Sequence, residues 1–78
     1  MFLMPDVKAV KVNSETTVLV YFSSGIIKVF DLTPLLHASQ TTLKDIKVDP
    51  EGAILNNTIS ISDYDLWAKS TFYGWDRT

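Results

Sequence analysis

Two β-branched runs, Thr17–Phe22 and Ile26–Asp31, stand on either side of Ser23-Ser24-Gly25. Glycine reaches positive φ without a Cβ clash, which is what a tight turn or its bulge demands, so Gly25 is read as a structural turn residue. Strands this close along a chain pair as an antiparallel hairpin. The first of them, Thr-Val-Leu-Val-Tyr-Phe, is apolar on both alternating faces, the pattern of a central strand covered on two sides. Such a run leaves register poorly fixed by alternation, and the turn must fix it instead.

The flanking sequence extends this sheet. Val7–Val12 has three valines among two lysines and an alanine, favouring a further strand, and Asn13-Ser14-Glu15 supplies the turn after it. Beyond Asp31 the character changes. Thr33 is a candidate helix N-cap, Pro34 fits the first helical position, and Leu35, Leu36 and Ala38 give one to two turns something to bury. Leu43–Val48 reads as a strand with Ile46 and Val48 on one face. Asp49-Pro50-Glu51-Gly52 is a turn by mechanism, proline setting φ and Gly52 closing it, with Ala53-Ile54-Leu55 as the partner strand. Asn56-Asn57 is another turn signal, and Thr58–Ser62 alternates isoleucine with serine or threonine. Ser62 or Asp63 then caps a short helix, Tyr64–Lys69, whose Tyr64, Trp67 and Ala68 share a stripe expected to face the sheet.

The expected fold class is α+β: a small antiparallel β-meander or hairpin sheet with two short helices. Seventy-eight residues suffice for one thin core, so residues 1–70 are read as a single compact domain and residues 71–78 as an aromatic C-terminal tail. The opening Met1-Phe2-Leu3-Met4-Pro5 lacks a basic segment and the apolar stretch of about 7–15 residues of a secretory signal. No run approaches the roughly 20 apolar residues of a membrane span, so a cytoplasmic protein without membrane attachment is expected.

Chemistry is sparse. There is no cysteine, and the one histidine, His37, has no ligand partner at a spacing such as His-Glu-x-x-His, so no metal site or cofactor is expected. As a base His37 would need a nucleophile or an orienting carboxylate that the sequence does not supply, and no catalytic residue is assigned. Asp49-Pro50-Glu51-Gly52 lacks the ligand series of a calcium loop and reads as a polar turn. Asp31 ends a strand and precedes a helix, a junction where a carboxylate accepts backbone N–H groups. Seven Lys and Arg against nine Asp and Glu give a net charge of −2, which argues against binding nucleic acid. The alternative, a nucleic-acid-associated regulator, rests on a modest basic edge of Lys8, Lys11 and Lys28; edge lysines more commonly discourage aggregation.

Trp67, Phe72, Tyr73 and Trp75 crowd the last dozen residues of a chain whose core is otherwise aliphatic. Two readings stand: the aromatics fold back as a lid on a thin core, or they form an interaction surface, where Trp and Tyr dominate hot spots. The function expected is a non-catalytic interaction module that binds another protein or itself.

Pro5-Asp6-Val7, Phe22-Ser23-Ser24-Gly25, Phe30-Asp31-Leu32, Leu35-Leu36, Leu43-Lys44-Asp45 and Val48-Asp49 with Gly52 follow one another in an order that resembles DUF2442, a family of small bacterial proteins of unknown function. The resemblance spans roughly Pro5 to Ala68 and implies a compact α+β fold. It also implies a partner: the product of an adjacent gene (of the DUF4160 type), in an arrangement suggesting a toxin–antitoxin-like pair.

Overall fold

The computed structural model describes residues 4–73, in which seven strands form two antiparallel sheets accompanied by two short helices. The first sheet has the order β1-β2-β3-β7, built from β1 (Val7–Val12), β2 (Thr17–Phe22), β3 (Ile27–Asp31) and β7 (Thr71–Phe72). The second has the order β4-β5-β6, from β4 (Ile46–Asp49), β5 (Gly52–Leu55) and β6 (Ile59–Ser62). Helix α1 (Thr33–Ser39) links the two sheets, and α2 (Asp63–Ala68) leads back to the first. The α+β class holds; the strands, however, divide between two sheets.

The central hairpin forms as its composition demands. Val18 faces Phe30, Val20 faces Lys28 and Tyr21 faces Ile27 across β2 and β3. At the turn the Gly25 N–H donates to the Phe22 carbonyl and Gly25 takes φ +90. Strand β1 lies on the other side of β2, with a bulge between Val7 and Ala9 that breaks the flatness of this outer strand.

In the second sheet Asp49 faces Gly52 across the two-residue Pro50-Glu51 turn, and the Asp49 carboxylate accepts from the Glu51 N–H. Gly52 has φ +147, and a Cβ there would stand 2.1 Å from the Ile61 carbonyl oxygen. Close approach of β6, as well as φ, therefore excludes any side chain. Asn56 and Asn57 both take positive φ (52 and 64) between β5 and β6, the backbone signature of a twist-matched hairpin turn. Strand β4 starts at Ile46, later than the expected Leu43, because the N–H groups of Lys44 and Asp45 both donate to the Asn56 side-chain oxygen. Val48 lies on the same face as Ile46, opposite the buried Ala53, but is itself exposed on this outer strand.

Each sheet contributes one face to a common core: Val18, Val20, Phe22 and Phe30 from the first, Ile46, Ala53, Leu55 and Ile61 from the second, closed by Leu32, Leu36 and Leu66. Leu32, wholly buried, occupies the N-cap position of α1 without a side-chain cap bond, so Thr33 is not the cap expected from sequence. The Asp31 carboxylate does that work by accepting from the Thr33 N–H at 2.9 Å. Ser62 caps α2, its hydroxyl accepting from the Asp65 N–H. The stripe expected on this helix is corrected: Leu66 is the fully buried residue, Trp67 is half-buried, and Tyr64 and Ala68 face outward. Six residues make under two turns, so one wholly apolar side chain sets the rotation.

Candidate interaction surface

After α2 the chain runs antiparallel along β3. Phe72 faces Lys28, Thr71 faces Val29, and the Tyr73 N–H donates to the Ile27 carbonyl at 3.0 Å. The start of the segment read as an aromatic tail is thus a strand of the first sheet. Phe72, on the Lys28 face of the strand, and Tyr73, just beyond its end, are each about half exposed, at 49% and 47%. Trp67 stands beside them on α2, half-buried against the core, its ring meeting Phe22 edge-on. Of the four aromatics picked from sequence, Trp67 lies on α2, Phe72 on β7 and Tyr73 directly after it; Trp75 lies outside the described residues.

Lys28 is the residue that sequence reasoning placed wrongly. Strand alternation puts it on the same face as Phe30, and it is 6% exposed. It does not join Lys8 and Lys11 in a basic edge. Those two are exposed on β1, with the Lys11 ammonium 5.4 Å from the centre of the Tyr21 ring. The Lys28 ammonium instead donates to the Trp67 carbonyl oxygen at 2.5 Å and lies 4.3 Å and 4.8 Å from the centres of the Trp67 and Phe72 rings. Burial lowers its pKa from the usual 10.5, because desolvation disfavours the charged form. A signal was present in the sequence, since Lys28 is two residues from Phe30. With Ile27 and Val29 equally apolar on the other face, alternation did not decide which side was core.

Asp31 lies exposed at the β3–α1 junction. Hydrogen bonds from the Thr33 hydroxyl and the Thr33 backbone N–H hold its carboxyl below the usual value of 3.8. Both turn glycines act on backbone geometry. His37 borders an open groove of about 860 Å³ together with Leu36, Leu43, Glu15 and Thr33. No described side chain forms a hydrogen bond with its imidazole. Among the described residues no group of three or more His, Cys, Asp or Glu side chains is placed to hold a metal ion, and no helix is long and apolar enough to cross a membrane.

Asn56 is the polar residue sequence reasoning undervalued. Its side-chain oxygen accepts from Lys44 and Asp45 at 2.8 and 3.0 Å, and its amide donates to the Thr42 carbonyl at 2.8 Å. The role is structural: it ties the link between α1 and β4 to the β5–β6 turn.

No family model, curated protein or solved structure matches the chain.

Proposed function

We propose that this chain is a small non-catalytic interaction module that binds another protein or itself through the ridge formed by Phe72 and Tyr73. The observation that carries this reading is the exposure of two consecutive large rings at the end of a sheet strand, Phe72 on it and Tyr73 just after it, with a half-buried tryptophan on the preceding helix. A rigid aromatic side chain brings large contact area at low entropic expense, and such residues dominate binding energy when they sit on a well-ordered frame. The resemblance to DUF2442 adds a candidate partner, the product of a neighbouring gene in a toxin–antitoxin-like pair. The nucleic-acid reading draws less support, because burial of Lys28 leaves only two of its three lysines exposed.

Sedimentation equilibrium of the protein alone and mixed with the neighbouring gene product tests the proposal, using the Phe72→Ser/Tyr73→Ser double variant as control. Association by the unaltered protein that the variant loses is the expected result. A strict monomer that ignores the neighbour, or association indifferent to both substitutions, contradicts it.

A further inference from the structure

We propose that the open groove along α1 is a binding site for a small organic cation, a primary ammonium carried on a compact apolar body. The site shares no residue with the aromatic ridge, so it stands whether or not that ridge binds a partner.

One stripe of a helix forms its length. Thr33, Leu36, His37 and Gln40 stand at the three- and four-residue spacings that set side chains in a row, and all four line the groove. At the rise of an α-helix this row is about 10 Å long. The opposite wall comes from Glu15 and Thr16, between β1 and β2, and from residues 41–43 of the link to β4. Leu36 is buried and Leu43 half-buried, so both offer carbon surface between polar walls. A volume of about 860 Å³ is the size of a small-molecule site.

Charge selects the ligand. Among the described residues no lysine or arginine lines the groove, and Glu15 is its one carboxylate. Glu15 forms no ion pair with a described residue, and neither its carboxylate, the His37 imidazole nor the Gln40 amide is bonded to a described side chain. The Leu32 N–H donates to the Thr16 carbonyl at 2.7 Å, which holds the Glu15–Thr16 turn against the start of α1. Asp31, bonded to the Thr33 N–H, adds a second negative charge near that end. The local field therefore favours a cation and opposes an anion of the same shape.

Gln40 ends α1 with a left-handed backbone, φ 53, where glycine is the unstrained choice. The glutamine keeps in the groove wall a side-chain amide that glycine would lack. An ammonium at Glu15 stays in contact with water through the open side, while an apolar body covers Leu36 and Leu43.

Three ligands with one body and different charge test the site: phenethylamine, 2-phenylethanol and 3-phenylpropionate. Each is titrated into labelled protein at neutral pH while backbone resonances and the His37 ring are followed. The expected result is saturable shifts at Leu36, His37 and Leu43, with the amine bound several-fold more tightly than the alcohol and the acid weakest. Glu15→Gln, an exposed substitution that keeps side-chain shape, should weaken the amine several-fold and leave the alcohol unchanged. Equal affinity for the three ligands, or an amine affinity that survives Glu15→Gln, overturns the proposal. So does an absence of saturation at the groove up to the solubility of the amine, or shifts confined to Phe72 and Tyr73.

Discussion

The Trp67 ring meets Phe22 edge-on, with ring centres 5.0 Å apart and planes at 85°, so the end of β2 and the last helix are joined by one aromatic contact. Phe22 is buried in the core, while Trp67 lies at its rim. Trp67→Ala should destabilise by about 3 kcal/mol, the low end for truncating a large aromatic, since part of the indole already meets water. A double-mutant cycle with Phe22→Leu should show a coupling of about 0.5–1.5 kcal/mol by urea unfolding. A coupling of zero would mean that the edge-on contact adds nothing to simple burial.

The two turn glycines should separate sharply. Gly25 needs its φ of +90 but has nothing within 4 Å of a Cβ, so Gly25→Ala should lower stability by roughly 1 kcal/mol. Gly52 combines positive φ with a Cβ position 2.1 Å from the Ile61 oxygen, and Gly52→Ala must push β6 away or unfold the sheet. Thermal unfolding of the pair reads the difference directly. Equal losses would show that β6 does not approach β5 as closely as the hairpin requires.

Asn56 and Asn57 share a backbone conformation but not a role. Asn56→Ala removes bonds to Lys44, Asp45 and Thr42 and should destabilise by about 2–4 kcal/mol, at roughly 1 kcal/mol per bond plus the positive-φ strain. Asn57→Gly keeps the turn geometry at an exposed site and should stay within about 0.5 kcal/mol. Urea midpoints of the two variants settle which asparagine ties the α1–β4 link.

Acid should act through Asp31. Its carboxyl is more acidic in the fold than the ordinary 3.8, so its contribution to stability is present above that value and disappears as pH falls through the folded pKa. Asp31→Asn abolishes this titration. The stability difference between wild type and Asp31→Asn should therefore shrink on acidification. A difference that stays constant across that range would mean that the bonds from Thr33 do not favour the charged form.

Much of the fold was legible because local chemistry and global pairing agree. Val7–Val12 and Thr17–Phe22 form strands with the expected bounds, and the turns at Gly25, Gly52 and Asn56-Asn57 fall where residue type demands. Elsewhere tertiary contacts overrode local preference. Phe72 and Tyr73 show no period of their own, because a strand this short is defined by the β3 edge it lies against. Lys44 and Asp45 gave their N–H groups to a side chain eleven or more residues away, which no local pattern records. Lys28 was misplaced because both faces of β3 are apolar, so charge stood in for geometry. Of the proposed site, the aromatic composition was visible in the sequence; the placement of Phe72 on a sheet strand over a buried lysine, with Tyr73 bonded to the same edge, was not.

The most direct test of the interaction reading is a chemical-shift map. Labelled protein is titrated with unlabelled protein, and separately with the neighbouring gene product, while backbone and aromatic resonances are followed. Binding through the ridge places the largest changes at Thr71, Phe72 and Tyr73, and at Ile27–Val29 on the strand they cover. Changes centred on Leu36, His37 and Leu43 around the open groove, with Phe72 and Tyr73 unmoved, would contradict it.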